Sequence, residues 1–273
     1  MASGRALIAE INEWTGTSDQ LAFWWLGQAG VAIRMAGKTA YIDPYLSPHP
    51  ERQSPPILEP CEVTNADFVL STHEHDDHLD LGALRGIAAA SPGAIFIAPR
   101  PCREKLVGIG VAPARIVGLN DEETHTAGKL RITAIKAKHE AFDRTAEGIY
   151  PYLGYLLRSK EFCVYHSGDT LNYEGLLTRL QQFGVGVAFL PINGRDAARF
   201  RAGCLGNLTY QEAAELAGEL RVQLAVPVHY DMFASNSEDP VKFLDYLGAK
   251  FPRIASWVGA AGQRVVVTRK GRA

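Results

Sequence analysis

The hydrophobic positions of this sequence are grouped into short runs, and the runs end in polar residues or are separated by turns that contain glycine. Runs this short that are rich in β-branched and aromatic residues predict β-strands. A first series covers residues 21–27, 30–35, 38–43, 67–73 and 91–99. A second series covers residues 130–139, 152–159, 161–169, 187–194, 224–231 and 263–270. The two series predict two sheets.

Helical segments are predicted between these strands. They lie at about residues 79–90, 101–108, 172–183, 209–220 and 239–249. Thr209 followed by Glu212 has the spacing of a capping box, and Pro240 suits the first turn of a helix. Helices outside two packed sheets predict an α+β fold, a four-layer αββα sandwich. Residues 46–60 contain five prolines and predict an extended loop.

Length and composition favour a single domain over residues 1–273. The 273 residues are 47% hydrophobic and 21% charged, which is enough for a large core. The net charge of −2 and the lack of a basic run predict no nucleic-acid partner. No apolar run approaches the roughly 20 residues of a membrane span, and acidic residues occupy the place of a signal-peptide core. We therefore expect a cytoplasmic protein without a membrane partner.

The four cysteines are far apart in the sequence and include no C-x-x-C pair. They are Cys61, Cys102, Cys163 and Cys204. This spacing predicts reduced thiols and not a disulfide framework or a structural zinc cluster. Any metal ion would then be bound by nitrogen and oxygen atoms.

Several predicted strands end in side chains that bind metals. Residues 71–81, STHEHDDHLDL, contain three of the eight histidines. Because alternate residues of an extended segment face the same way, His73 and His75 can reach one metal ion while Asp77 and His78 face a second. Imidazole and carboxylate ligands suit zinc, manganese or iron equally. Three other predicted strands end in or just before His139, Asp169 and His229.

The series H-x-H-x-D-H at residues 73–78, a distant histidine, an aspartate after Ser-Gly and a last histidine together resemble the metallo-β-lactamase superfamily. Its fold is an αββα sandwich. Further stretches resemble the L-ascorbate-6-phosphate lactonases, and the likeness runs from about residue 22 to residue 260. They are WWLGQAG (24–30), AFDRT (141–145), YHSGDT (165–170), PINGR (191–195) and PVHYDMFASNSEDP (227–240).

Two features depart from those lactonases. This chain is shorter around residues 47–60 and before residue 152. His139 stands where the lactonases carry a carboxylate. Their own substrate is therefore not carried over to this chain.

The resemblance implies two metal positions and a bridging carboxylate. The implied ligands are His73, His75 and His139 for one metal ion, Asp77, His78 and His229 for the other, and Asp169 as the bridge. Two cations lower the pKa of a bound water from about 15.7 toward about 7, so the nucleophile would be a metal-bound hydroxide. Asp77 and Asp169 are the candidate catalytic residues, with Asp77 transferring a proton to the leaving group. Asp43 is predicted to orient a ligand histidine, and His166 to lie behind Asp169.

Substrate recognition is expected from the rim of this centre. The candidates are Arg144, Asn193 and Arg195, since arginine forks suit carboxylates and phosphates. The alternative is that the two arginines form surface ion pairs with their neighbours Asp143 and Asp196.

The expected reaction is hydrolysis of a small anionic lactone, such as a sugar-acid or sugar-phosphate lactone. A metal-dependent phosphodiesterase is the alternative enzyme. The third alternative is a non-catalytic binding protein, although a full set of desolvated ligand residues is costly without a metal ion. The sequence leaves open a homo-oligomer.

Two histidines and a tryptophan pair lie outside this pattern. His49, in the proline-rich loop, and His125, in a predicted turn, are both expected to be solvent-exposed. Trp24 and Trp25 alternate faces on one strand, so at least one ring is expected in the core.

Overall fold

Two seven-stranded sheets form the centre of the computed structural model, which describes residues 1–269. The first six strands in the chain are β1 (Gln20–Gly27), β2 (Gly30–Met35), β3 (Lys38–Ile42), β4 (Phe68–Leu70), β5 (Ile95–Pro99) and β6 (Ile116–Leu119). The next seven are β7 (Thr124–Ala127), β8 (Leu130–Lys136), β9 (Leu153–Arg158), β10 (Cys163–His166), β11 (Val187–Pro191), β12 (Leu224–Val228) and β13 (Ala255–Ser256). The last is β14 (Arg264–Thr268). The orders across the sheets are β14-β1-β2-β3-β4-β5-β6 and β13-β12-β11-β10-β9-β8-β7.

The last strand corrects the predicted assignment of strands to sheets. Residues 263–270 were expected to continue the second series, but β14 pairs antiparallel with β1 at the edge of the first sheet. A strand's own pattern shows which of its side chains are buried, not which open edge it joins. Here Val267 is buried in the core between the sheets. Residues 270–273 lie outside the described part of the chain.

Helices cover the outer faces of both sheets, which confirms the predicted αββα layers. They are α1 (Gly4–Glu13), α2 (Leu81–Ala90), α3 (Arg103–Gly108), α4 (Leu176–Gln181), α5 (Ala197–Arg201), α6 (Tyr210–Leu220) and α7 (Pro240–Lys250). The capping box of α6 is present: Glu212 N donates to Thr209 Oγ1 over 3.2 Å, and Thr209 N donates to Glu212 Oε2 over 2.9 Å. Two helices, α1 and α5, were not predicted.

Alternation along β1 divides its side chains between two apolar layers. Phe23 and Trp25 face the interior between the sheets, where the Phe23 and Phe189 rings meet edge to face at 5.0 Å. Trp24 faces the layer of α1 and α2, and its indole donates to Glu10 Oε1 over 3.1 Å. Both indoles of the tryptophan pair are therefore buried.

The proline-rich segment is a loop, as predicted, and it packs on the chain that follows β12. Gln53 N donates to Met232 O over 2.9 Å, and the exposed His49 lies edge to face with Phe233 at 5.5 Å.

The four cysteines are free thiols. Within residues 1–269, no helix combines the length and apolar character needed to span a bilayer.

Strand direction brings several strand ends to one edge of the sandwich. β3, β4, β5 and β6 are parallel to one another, and so are β10, β11, β12 and β13. β1 shares the direction of β3, and β8 that of β10, because each pair is separated by one antiparallel strand. The carboxyl ends of these strands in both sheets therefore lie at a common edge.

Candidate metal centre

The predicted ligand residues follow strand ends at this common edge. The segment after β4 carries four of them, and β8, β10 and β12 are followed by one each. The structure brings all seven together in two groups with Asp169 between them. The first ligand group is His73, His75 and His139, and the second ligand group is Asp77, His78 and His229.

In the first ligand group three imidazoles surround one point. His73 Nε2 and His75 Nδ1 are 2.9 Å apart, and the ring centroid of His139 lies 5.6 Å from that of His73 and 5.2 Å from that of His75. One nitrogen from each ring lies within 4.8 Å of the other two. Rings from two different sheets thus converge here.

In the second ligand group two imidazoles and a carboxylate converge. Asp77 Oδ2 lies 3.2 Å from His229 Nε2 and 3.5 Å from His78 Nε2. Asp169 reaches this group with both oxygens, at 3.3 Å from His78 Nε2 and 3.4 Å from His229 Nε2. Asp169 Oδ2 also lies 3.8 Å from His139 Nε2, so its carboxylate faces both groups.

These separations fit a divalent cation. Four ligands placed tetrahedrally around zinc at about 2.0–2.1 Å would be about 3.3–3.4 Å from one another. The separations of 3.2, 3.3, 3.4 and 3.5 Å around the second ligand group match that spacing. His78 Nε2 and Asp169 Oδ1 are also buried and have no hydrogen-bond partner among residues 1–269, as expected for lone pairs that face a metal ion.

Electrostatics distinguish the two ligand groups. Burial lowers the pKa of His73 well below its usual value, and burial also lowers the pKa of His139. Burial opposes charge on His78 and His229 too, but the carboxylates around them outweigh it and raise both pKa values. His73 and His139 are therefore neutral near neutral pH, whereas the carboxylates around His78 and His229 favour positive charge at those two rings.

The two carboxylates stay ionised. Burial alone would raise the pKa of Asp77 and of Asp169, but the nearby imidazoles outweigh burial and lower both pKa values. The centre therefore holds buried negative charge beside imidazole nitrogens, a combination suited to divalent cations.

We expect cation binding at the second ligand group to weaken more steeply with falling pH than binding at the first. The raised pKa values of His78 and His229 mean that a cation must displace protons from them already near neutral pH. The lowered pKa values of His73 and His139 leave those rings unprotonated to lower pH. Calorimetric titrations with manganese between about pH 6 and pH 8 would measure this. Equal losses at both positions would contradict it.

Asp43 lies directly behind the second ligand group. Its Oδ2 is 2.7 Å from His78 Nδ1 and accepts a 2.7 Å hydrogen bond from Thr72 Oγ1, while its Oδ1 accepts from Thr72 N over 2.8 Å. All three side chains are buried. With its proton on Nδ1, His78 directs the lone pair of Nε2 at the centre, which is the orientation expected for Asp43's predicted role.

Replacing Asp43 with alanine should weaken cation binding by about 10- to 100-fold, because His78 loses the acceptor that fixes its tautomer and ring orientation. Metal titration of the purified variant checks this. Thr39→Val, at a buried hydroxyl on the same strand, is a matched control. Unchanged affinity in Asp43→Ala would show that His78 is oriented without it.

Backbone strain is concentrated around the centre. Four non-glycine residues near it have positive φ angles: Gln28 (51°), Asp43 (46°), Glu140 (63°) and His229 (58°). Such conformations cost roughly 1–3 kcal/mol each and persist where surrounding contacts enforce them. His229 is held by a 3.0 Å hydrogen bond from its N–H to Gln28 O.

His166 lies behind Asp169 and away from the ligand atoms. It is fully buried, its Nε2 lies 2.8 Å from Ala29 O, and its Nδ1 accepts from Gly168 N over 3.2 Å. Gly168 has φ +58°, and a Cβ there would lie 2.9 Å from Leu153 O. His166 and Gly168 thus shape the turn that presents Asp169, without facing the cation positions themselves.

The three predicted rim residues have different surroundings in the structure. Arg195 forms a forked ion pair with Glu212, at 2.6 and 2.8 Å, and not with Asp196. Asp196 instead pairs with Arg199. Glu212 lies on the first turn of α6, which the fold brings close to the end of β11. The guanidinium of Arg195 is therefore engaged within the protein.

Asn193 is also internally bonded. Its Nδ2 donates to Asn236 Oδ1 over 2.8 Å, and its Oδ1 accepts from Asn207 Nδ2 over 3.1 Å. Arg144 differs, since it is exposed, lies 5.7 Å from the centroid of the Tyr150 ring and forms no ion pair with Asp143 or any other described residue. Of the three predicted rim residues, Arg144 is the one with a free charge.

Sequence reasoning missed three residues at the centre. They are Gln28, Thr72 and Tyr152. The Tyr152 ring lies beside the first ligand group, with its centroid 5.2 Å from that of His73 and 5.3 Å from that of His139. Gln28 lies within the WWLGQAG stretch, and this motif is the sequence signal that could have identified it.

His125 was expected to be an exposed turn residue, which is wrong. It lies on β7 and is half-buried, with its ring centroid 6.0 Å from that of Phe68. The hairpin of β7 and β8 is short and polar on its solvent side, so the strand pattern was not visible in the sequence.

A surface cavity of about 1020 Å³ lies away from this centre. It is bounded by segments that precede β10, β11, β12 and β13, and so by the opposite ends of the strands that carry Asp169 and His229. None of the residues of either ligand group lines it. The chemistry of the side chains, and not cavity size, identifies the candidate site.

Comparison with known proteins agrees with this geometry. A family model described as the β-lactamase superfamily domain matches residues 38–230, which include both ligand groups and Asp169. A UPF0173 metal-dependent hydrolase of Exiguobacterium sp. is 30% identical over 81% of this chain and 91% of that protein. An enzyme named probable L-ascorbate-6-phosphate lactonase UlaG, from Salmonella heidelberg, is 24% identical over 87% of this chain and 77% of that enzyme.

A solved structure shows the same fold. Igni18, described as a novel metallo hydrolase from the hyperthermophilic archaeon Ignicoccus hospitalis, superposes with a TM-score of 0.72 at 22% identity, covering 92% of this chain and 100% of that one. The family match spans more than half of the chain and contains the residues of the centre. The chain therefore belongs to the metallo-β-lactamase superfamily and is one of its metal-dependent hydrolases.

Proposed function

We propose that the protein is a lactonase that hydrolyses a small anionic lactone, such as a sugar-acid or sugar-phosphate lactone. Two divalent cations, of zinc, manganese or iron, would be held by the two ligand groups and Asp169. The placement of Asp169 carries the two-cation part of this proposal, because its oxygens lie 3.3 and 3.4 Å from the second group and 3.8 Å from the first. The relative named as a lactonase supports the substrate class.

When bound, such cations polarise a scissile carbonyl and lower the pKa of a water molecule. Proton transfer to the leaving group is assigned to a side chain of the protein. The Asp77 side chain is 20% exposed and that of Asp169 only 5%, so a leaving group reaches Asp77 more readily. The lowered pKa of Asp77 means that its carboxylate is unprotonated near neutral pH, as a group that takes up a proton and passes it to the leaving oxygen must be.

Recognition of the anionic group is assigned to a cluster beside the first ligand group. Lys136 and Lys138 lie 5.3 and 6.0 Å from the ring of Phe142, and Arg144 lies over Tyr150. None of these three positively charged side chains forms an ion pair with a carboxylate among the described residues. Lys136 is the last residue of β8, and Lys138 and Arg144 lie in the segment after it, on either side of His139 in the sequence. Their positive charges would therefore attract an anionic substituent on a bound lactone.

The test is hydrolysis by protein reconstituted with manganese or zinc, compared across a charged lactone, a bis-aryl phosphodiester and a thioester. Lactone turnover should exceed the other two, disappear after chelation and return when metal is restored. A wide preference for the phosphodiester would favour the alternative enzyme. Metal binding without turnover of any substrate would favour the non-catalytic binding protein.

A further inference from the structure

We propose that Gln28 is a positioning residue that holds Asp77 and His229 in the geometry of the second cation position. The inference rests on the proposed two-cation site. Gln28 lies in the turn between β1 and β2 and is 1% exposed. β1 belongs to the first sheet, so this turn reaches the centre from a strand that supplies no ligand.

The backbone of Gln28 joins the two sheets at the centre. Its carbonyl oxygen accepts hydrogen bonds from His229 N and from Trp25 Nε1, each over 3.0 Å. The Trp25 ring in turn stacks on Tyr230, the residue after His229, at 5.4 Å between centroids. His229 and Gln28 both have positive φ angles, so each turn depends on the other for its conformation.

The side chain of Gln28 contacts two members of the second ligand group. Its Nε2 donates to Asp77 Oδ2 over 2.8 Å and lies 3.1 Å from Nε2 and 3.4 Å from Nδ1 of His229. Because the amide nitrogen is nearly equidistant from both ring nitrogens, it lies over the face of the imidazole. The lone pair of His229 Nε2 therefore stays directed at the cation position.

The amide orientation is set by charge. An inverted amide would place its oxygen against the carboxylate of Asp77, which is repulsive, so the donor side must face Asp77. In the resulting orientation Gln28 Oε1 is buried without a hydrogen-bond partner among the described residues. A buried acceptor left unpaired is costly, and such groups in folded proteins call for a specific reason. Here the reason is the hydrogen bond that Gln28 Nε2 donates to Asp77.

The contacts are confined to one cation position. Within residues 1–269, Gln28 makes no hydrogen bond to His73, His75 or His139, whereas it contacts both Asp77 and His229. Loss of the amide should therefore weaken the second position and leave the first unchanged. A residue that served packing alone would not produce this asymmetry.

The test is calorimetric titration of metal-free Gln28→Met with manganese, with cobalt as a spectroscopic probe of coordination. Methionine fills a similar volume but donates no hydrogen bond. We expect wild type to bind two cations, and Gln28→Met to bind the first normally and the second about 10- to 100-fold more weakly. Gln20→Met, at a half-buried glutamine at the opposite end of β1, is the matched control.

Gln28→Asn provides a second variant should Gln28→Met fold poorly, since it keeps the amide but withdraws it from Asp77. The same selective loss is expected. Unchanged affinity at both positions in the variants, or equal weakening of both, overturns the role of Gln28 while leaving the two-cation site intact. A wild type that takes up no second cation would overturn the proposed function as well.

Discussion

Replacing Asp169 with alanine is expected to reduce metal-dependent hydrolysis by about 10³-fold or more. The carboxylate faces both ligand groups, so in the proposed two-cation site its loss would remove a ligand that both cations share, together with its negative charge. Cation stabilisation of the reacting groups is worth several kcal/mol, and each 1.36 kcal/mol is a factor of about ten in rate. Steady-state kinetics and metal content of the same preparation measure the effect.

His166→Ala is the control for that variant, since His166 is buried beside the same turn but does not face the cation positions. Its loss should cost about 10- to 100-fold at most, through the placement of Gly168 and Asp169. Comparable losses in both variants, with full metal content in Asp169→Ala, would reverse the two assigned roles.

Arg144→Ala should lower kcat/KM for a charged lactone by about 10- to 150-fold while hardly changing that for a neutral ester. Loss of one charge-assisted contact costs about 1.5–3 kcal/mol, which corresponds to this range. Arg144 is exposed and free of ion pairs within residues 1–269, so its charge is available to a substrate. The neutral ester reports on the metal centre alone.

Arg195→Ala is the matched comparison for this variant. Its guanidinium is engaged by Glu212 and by Asn207 O, so the ratio of charged to neutral turnover should stay as in wild type. The exposed ion pair itself should contribute about 0–1 kcal/mol to stability. A loss of charged-substrate turnover in Arg195→Ala but not in Arg144→Ala would assign recognition of the anionic group to Arg195.

The fold was predictable because its signals are local. Apolar strands, Gly-containing turns and the cap at Thr209 and Glu212 specify elements over a few residues, and two series of strands with outer helices specify the layers. The partner of β14 was not predictable, because pairing depends on which sheet edge remains open. β6, β7 and β13 were missed because they are short, and β7 is also polar on its exposed side.

In the candidate centre, the ligand residues were predictable from the sequence but the residues that surround them were not. Histidines and aspartates at strand ends are chemically conspicuous, and the structure brings those residues together. Gln28, Thr72 and Tyr152 are ordinary residue types, and only three-dimensional placement makes them part of the centre. The ion-pair partner of Arg195 was not predictable for a related reason, since Glu212 is on a later helix and also forms the helix cap.

Each ligand group takes residues from both sheets, and this gives bound cations a mechanical role. His73, His75, Asp77 and His78 follow a strand of the first sheet, whereas His139 and His229 follow strands of the second. A bound cation is therefore a cross-link between two halves that otherwise adhere through apolar packing. The cross-link restrains only the ligand edge, so chelation should speed amide hydrogen exchange in residues 71–79 and 228–232 while leaving residues 163–164, where β10 begins, protected.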